Sequence, residues 1–363
     1  MSFSFGSNLR VTIFGQSHSE AIGAVIDGLP AGEKLDFGRI EAFMRRRAPG
    51  QSSVSTARKE PDKPRVLSGL VDGVTCGSPV CVIIENTDVR SADYEAMKRV
   101  PRPAHADFPA FVKYGGFNDV RGGGHFSARL TAPLCFAGAA ALQLLEKRGV
   151  NVAARVKSVA GIEDCPIDFV NPDFAALKAA ALSDIPVISE EKRQAIRAAI
   201  SLAKQKGDSV GGVVECFAAG LPAGLGEPIF DGIENRLAAA VFGIPAVRGI
   251  EFGAGFAAAE MRGSEHNDAF YMGGPDARTV MTATNNHGGV LGGLTSGMPL
   301  VFRAAFKPTA SIAQAQRSVD LISETDAELQ IHGRHDPCVV PRAAPCVEAV
   351  TALVLLDFLL VGK

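Results

Sequence analysis

The sequence predicts an α+β chain folded as one body made of two matched halves. Three observations lead there. Gly28-Leu29-Pro30-Ala31-Gly32 returns letter for letter as Gly220-Leu221-Pro222-Ala223-Gly224. Each copy follows a strand pattern bearing Gly and Val (23–27 and 211–217) and precedes a helical one (37–47 and 229–242). Arg342-Ala343-Ala344-Pro345-Cys346 heads an apolar helix, as Arg129-Leu130-Thr131-Ala132-Pro133 does earlier. An order kept in both halves calls for a shared core. The expectation is therefore a single domain over 1–363, with halves of about 1–150 and 207–363 and a helical insert at about 165–206.

Taken in order, 10–14 alternates as a strand and ends at Gly15-Gln16-Ser17-His18-Ser19. After the first five-residue turn, Phe37, Ile40, Phe43 and Met44 share one helical face, with Asp36 placed to cap it. Strands follow at 66–71, 74–75 and 79–85, then a short helix at 91–100. The apolar run 130–145 is a helix, 152–162 a strand, and 165–206 a charged, helical, motif-free stretch. Strand 299–306 leads to the turn Lys307-Pro308-Thr309-Ala310-Ser311. The apolar run 343–361 closes the chain; Glu348 and Asp357 within it mark a buried helix, not a membrane span.

The totals narrow the function. At 47% hydrophobic and 21% charged, the 363 residues can bury a large core. A formal net charge of -2 argues against bulk nucleic-acid binding, so any basic site is local. Seven cysteines without a CxxC pair read as reduced thiols, and the start of the chain shows no charged segment followed by an apolar run. These features point to a cytoplasmic protein without a membrane partner.

The chemistry concentrates between Arg102 and Arg129: Arg102-Pro103-Ala104-His105-Ala106-Asp107, then Arg121-Gly122-Gly123-Gly124-His125-Phe126-Ser127-Ala128-Arg129. Three glycines at the start of a helix let main chain approach an anion or planar ring closely. A second cationic group, Arg45-Arg46-Arg47 before Ala48-Pro49-Gly50, suits either carboxylate and phosphate capture or a solvated helix end. Lys307 with Thr309 and Ser311 in a tight turn suits phosphate, or an ordinary exposed turn. His332 and His335 have a glycine and an arginine between them and no third soft ligand near, which argues against a metal. Asp336 lies just ahead of the last helix, where capping is the plain explanation. The glycine clusters lack GxxxxGK[ST] order and none follows a strand as GxGxxG, so neither a P-loop nor a Rossmann site is present.

Together these fragments resemble the chorismate synthase family, in the family's order and over nearly the whole chain. The resemblance rests on Gly15 to His18, Arg102 to Asp107, Arg121 to Gly124 with Ser127 to Arg129, Lys307 to Thr309, and Gly333-Arg334-His335-Asp336-Pro337-Cys338. It implies a β-α-β sandwich and a homotetramer. The implied reaction is the 1,4-anti elimination of phosphate from 5-enolpyruvylshikimate 3-phosphate to give chorismate. It needs reduced FMN with no net redox change, and NADPH serves some members as the electron source. By resemblance His18, beside Ser17, would protonate the leaving phosphate, His105 would face the flavin, Asp336 would lie near flavin N5, and Ser127 belongs to the same catalytic group. Residues matching FMN positions are His125, Phe126, Ser127, Ala246, Gly292, Lys307, Pro308, Thr309, Ala310, Ser311 and Arg334. Arg46, Arg47, Arg129 and Arg334 would clamp the anionic substrate.

The chain departs from the family pattern in places. Gln16 and Ser19 replace a usual glutamate and glycine, Ala104 a glycine, Leu130 a glutamate, and His125-Phe126 an Arg-Ser pair. The last change removes a cation and a hydroxyl from the cofactor region, which predicts weaker FMN binding unless His125 is protonated. It also leaves two rivals: a diverged paralogue acting on a related phosphorylated cyclic acid, and a flavin- or anion-binding protein without catalysis.

Overall fold

Two antiparallel five-stranded sheets enclose a layer of helices in a computed structural model describing residues 3–50, 60–88, 96–274, 278–331 and 336–361. The first half contributes β1 (Ser4–Phe5), β2 (Arg10–Gly15), β3 (Ala21–Asp27), α1 (Phe37–Arg47), β4 (Arg65–Ser68), β5 (Leu70–Val71), β6 (Val74–Thr75), β7 (Val80–Glu85), α2 (Asp107–Tyr114) and α3 (Thr131–Glu146). Then come β8 (Asn151–Val159), β9 (Ile162–Glu163), α4 (Phe174–Ala180), α5 (Glu190–Gln205), β10 (Gly212–Ala219), α6 (Ile233–Phe242) and β11 (Val247–Phe252). The chain ends through α7 (Gly263–His266), β12 (Phe270–Gly273), β13 (Thr279–Thr282), β14 (Val290–Leu291), β15 (Leu294–Thr295), β16 (Leu300–Phe306), β17 (Gln316–Asp320), β18 (Thr325–Leu329) and α8 (Val340–Leu359).

The sheets run β1-β2-β3-β7-β4 and β9-β8-β10-β16-β11. Set side by side, β2, β3, β7 and β4 take the places of β8, β10, β16 and β11. The hairpin β5–β6 matches β14–β15, and α1 and α3 match α6 and α8. The repeated turn does the same work twice. A Cβ on Gly28 would come within 1.9 Å of the Asn8 carbonyl oxygen, and one on Gly220 within 2.2 Å of that of Gly149. Both glycines hold positive φ (89° and 87°), so the turn has room for no side chain there. The Thr75 hydroxyl donates to the Pro30 carbonyl at 2.6 Å, and that of Thr295 to Pro222 at 2.6 Å.

Between the sheets α3 packs on β2, β3 and β7, α8 packs on β8 and β10, and the two helices pack on each other. Burial explains their composition. Segment Ala128–Glu146 is long and apolar enough to cross a membrane, yet 78% of its most apolar stretch is buried inside the protein. In α8 even the two acids are used. Glu348 accepts from the Ala154 amide at 2.9 Å, and Asp357 accepts the amides of Ser7, Asn8 and Leu9 at the start of the chain.

Four expectations need correction. The strand expected over 152–162 is a hairpin, because Ala160 and Gly161 turn at positive φ and β9 folds back on β8. The helix expected from Ile229 begins at Ile233, since Ile229 itself holds φ of 65°. The 165–206 stretch is helical only in α4 and α5, each started by a side-chain cap, Asp173 to the Ala176 amide and Ser189 to the Lys192 amide. Of the helix expected at 91–100, the described part is a single 3-10 turn, Ala96–Lys98.

Candidate active site

One cleft of about 530 Å³ collects most of the expected residues from both halves of the chain. Its lining includes Arg47, His105, His125, Phe126, Ser127 and Arg129 from the first half. Ala246, Lys307, Pro308, Thr309, Ala310, Ser311 and Asp336 come from the second. A second cleft of about 600 Å³, among α1, the start of α8 and residues 181–186, is lined by Arg39, Arg45, Arg46 and Asp184 and holds no histidine.

The glycine run is shaped by a close packing that the sequence did not suggest. Gly122, Gly123 and Gly124 all hold positive φ (59°, 84° and 54°). A Cβ on Gly122 would meet the Ser17 hydroxyl oxygen at 2.5 Å and the His18 ring at 2.8 Å, and one on Gly124 the Asp119 carbonyl oxygen at 2.0 Å. The Ser17 amide donates to the Gly124 carbonyl at 3.1 Å, and the Gly123 amide is spent on Val120. The missing side chain at Gly122 thus lets the Ser17–His18 turn press against the back of the cleft wall, where Gly122 and not Ser17 or His18 is part of the lining. Ser17 and His18 are both buried there, and the Ser17 hydroxyl has no hydrogen-bond partner among the described residues.

His105 sits opposite. Its Nδ1 lies 2.6 Å from Asp107 Oδ1 and 3.0 Å from Arg102 Nη2. Asp107 can only accept and Arg102 only donate, so the two contacts ask opposite roles of Nδ1; the shorter one, to Asp107, favours the proton on Nδ1, with Nε2 near Gly123. Asp107 also binds Arg102 through Nε (2.7 Å) and Nη2 (2.8 Å), and Arg102 Nη1 donates to the Ser311 hydroxyl at 3.2 Å. Burial, opposed by the bond to Asp107, pushes the His105 pKa below its ordinary value. Burial would raise Asp107, but Arg102 and His105 overcome it and hold the carboxyl far below the usual range. Ala104 adopts the positive φ (57°) for which a glycine is cheaper, and its carbonyl accepts from Lys307 Nζ.

The cationic wall is built around a carboxylate that sequence reasoning missed. Asp62 accepts from Arg47 Nη1 at 2.6 Å and from Arg129 Nη1. Arg47 Nε donates to the Thr131 hydroxyl at 2.9 Å, and Arg129 Nε to Asn86 Oδ1 at 2.9 Å. Burial raises the Asp62 pKa, but Arg47 and then Arg129 outweigh it, and the net shift is downward. Arg342, also missed as a site residue, lines the cleft, donates to the Arg47 carbonyl at 2.8 Å and pairs with Asp336. Its signal in the sequence was the loose match to Arg129, which enters the same cleft from the start of α3.

Other site expectations are corrected. Arg46 faces away: both its terminal nitrogens bind Glu348 at 2.7 Å, and it lines the second cleft. Gly292 turns the β14–β15 hairpin and is not part of the cleft lining. Asp336 does not cap α8, whose first flanking residue is Val339; its side chain is held by Arg342. His125 packs edge-on to Phe3 and Tyr114 and against Phe126, and burial pushes its pKa down, so it does not restore the missing cation near neutrality. Arg334, with His332 and His335, lies outside the described residues.

The profile of a family described as chorismate synthase matches residues 9–360. The chain belongs to the chorismate synthase family. The chorismate synthase of Korarchaeum cryptofilum is 45% identical over 356 residues, covering 98% of this chain and 97% of the relative. That of Pyrococcus abyssi is 47% identical over 356 residues, with the same coverage. A crystal structure of chorismate synthase shares 29% identity and superposes with a TM-score of 0.76, covering 98% of this chain and 93% of the other. Family membership makes the chain an enzyme, a carbon–oxygen lyase in the biosynthesis of aromatic compounds. The altered residues near His125 are thus a variation within that family, and nothing among the described residues of the cleft favours the non-catalytic rival.

Proposed function

We propose that the chain eliminates phosphate from 5-enolpyruvylshikimate 3-phosphate in the anti-1,4 sense, giving chorismate, with reduced FMN as cofactor. What supports this reading most is one cleft in which Arg47, Arg129 and Arg342 stand on one wall and His105 and the Lys307–Ser311 turn on others. The substrate bears two carboxylates and a phosphate, which guanidinium forks bind with directional, charge-assisted hydrogen bonds. The elimination breaks the carbon–oxygen bond to phosphate and a carbon–hydrogen bond at the far end of the allylic system. His18 supplies a proton to the departing phosphate, with Ser17 beside it, and Asp336, held by Arg342, accepts a proton. His105 is held in place through Nδ1 by Asp107 and Arg102.

The cleft suits a flavin phosphate. Lys307 brings a cation, and the buried Thr309 hydroxyl has no partner among the described residues. Ser127, Ser311 and the aromatic side of His125 and Phe126 complete that region. When bound, reduced FMN supplies electron density to the allylic system that loses phosphate; its reducing equivalents come from NADPH or from a separate reductase. The same reading takes the chain as one domain acting as a cytoplasmic homotetramer.

The test is anaerobic turnover with chemically reduced FMN, following chorismate and phosphate. Turnover that requires the reduced cofactor is the expected result. Tight binding of both ligands without turnover would overturn it in favour of a binding protein.

A further inference from the structure

Beneath the cationic wall lie two sulfurs that the elimination does not use. Cys135 on α3 and Cys346 on α8 are both buried, and their Sγ atoms are 3.8 Å apart with the Cys135 thiol directed at Cys346. Each stands one helical turn from a wall residue on the same helix face. Thr131, four residues before Cys135, accepts from Arg47. Arg342, four residues before Cys346, takes the Cys346 thiol on its carbonyl at 3.4 Å and holds Asp336 with its head group. Cys346 belongs to the cleft lining; Cys135 lies behind it.

We infer that Cys135 and Cys346 form an oxidisable dithiol at which a small hydroperoxide closes a disulfide between α3 and α8. The environment divides the roles. The hydrogen bond from Cys135, against burial and with help from Arg47 and Arg342, draws the Cys346 pKa down. Burial drives that of Cys135 up. Cys346, which lines the cleft, is the sulfur a peroxide meets first, and Cys135 behind it is the one that resolves the oxidised sulfur. The Cys346 sulfur attacks one peroxide oxygen, the O–O bond breaks, and the departing hydroxide (or alkoxide) takes a proton, leaving a sulfenic acid. The Cys135 sulfur then attacks that sulfur, the S–O bond breaks, and water leaves with the Cys135 proton. Two thiols give up two electrons in all and the peroxide takes them.

The consequence reaches the cleft. A disulfide needs sulfurs about 2.05 Å apart, so the gap must close by nearly half. That movement comes from the turns carrying Thr131 and Arg342, which position Arg47 and Asp336. Displacements of about 1 Å at positioning groups cost on the order of a hundredfold in rate. Oxidation should therefore lower turnover roughly tenfold to a hundredfold, and a dithiol reductant should restore it.

The experiment treats the full chain with hydrogen peroxide, removes the peroxide, alkylates free thiols and maps peptides by mass. The expected product is a Cys135–Cys346 linked peptide, with the whole-protein mass lower by about 2 Da. Cys135→Ala should keep turnover but trap Cys346 as its oxygenated acid, unlinked. Peroxide that modifies exposed Cys76 while Cys135 and Cys346 both remain alkylatable would overturn the inference. So would a link from Cys346 to any other cysteine, such as buried Cys338. The peptide map of the unmutated chain decides even if the variant fails to fold. Because it reads the link and not chorismate, its failure is distinct from a failure of the proposed reaction.

Discussion

Asp62 carries the most exposed consequence of this architecture, because one buried carboxylate holds two of the three wall arginines. Replacing it as Asp62→Asn keeps the shape and removes the charge. Leaving a buried ion without its partner costs about 3–5 kcal/mol. Glu60 stays 3.7 Å from Arg129 Nη2 and keeps part of the compensation, so the lower end, about 3 kcal/mol, is expected. With a urea dependence of about 3 kcal/mol/M, the unfolding midpoint should fall by about 1 M. The same change should improve anion binding. One negative charge about 6 Å from a bound phosphate is worth about 3 kcal/mol at an effective dielectric of about 20. If screening removes about half, inorganic phosphate binds roughly tenfold tighter to the variant. Urea titrations with and without phosphate read both effects. There is also a pH signature. The Asp62 pKa is depressed on folding, so its contribution is complete above the unfolded value of about 3.9 and is lost as pH falls toward the folded one. Asp62→Asn should lack that acid loss. A midpoint within about 0.2 M of the unmutated chain, with unaltered phosphate affinity, would refute the reasoning: the arginines would then be held by Thr131, Ala128, Asn86, Glu85 and Glu60 without need of Asp62.

His18→Ala and His105→Ala should each lower kcat by about 10²–10⁴-fold with little change in substrate affinity; equal losses in both would count against acid–base roles. Since burial lowers the His105 pKa and Asp107 opposes it, Asp107→Asn should move the His105 limb of the kcat–pH profile further below pH ~6.5; a limb that moves upward contradicts the assignment. Arg46→Lys should break the paired contact with Glu348 and cost about 1.5–3 kcal/mol of stability while KM holds, because Arg46 lies outside the cleft lining; a raised KM in a fully folded variant would return it to the substrate site. His125→Arg should tighten reduced FMN roughly tenfold by adding a cation where a neutral ring now packs, measured as the dissociation constant of the cofactor; unchanged affinity would show that the His125-Phe126 departure is silent.

Much of the layout was legible because it is written in local rules. Asp36 caps α1 as its position suggested, accepting from the Arg39 amide, and the five-residue turn repeats because two backbone crossings exclude a Cβ in the same place. What failed locally failed for local reasons too. Ala160 and Ile229 carry positive φ without being glycine, so composition read strand through one and helix through the other. At the site, Arg46 and Arg47 are neighbours in sequence, and no residue-type rule separates them. Helical geometry does, turning one toward Glu348 and the other toward Asp62.

Asp62 and Arg342 were invisible as site residues for a different reason: their meaning arises only through tertiary contacts, Asp62 with two arginines of its own half and Arg342 with Arg47 of the other half. Asp62 belongs to the connection between α1 and β4, an unremarkable loop acid until Arg129, arriving at the start of α3, gives it a second cation. Arg342 arrives in the same way at the start of α8, the matching helix of the other half, and lays its guanidinium on the Arg47 carbonyl. The two matched halves thus each bring an arginine to the wall from the start of the corresponding helix. The remaining chemistry is not duplicated. The histidines and the three glycines belong to the first half, and the Lys307–Ser311 turn and Asp336 to the second. A symmetric scaffold therefore encloses an asymmetric site. That division is what an elimination with distinct proton-giving and proton-taking ends requires, and what two equivalent sites could not provide.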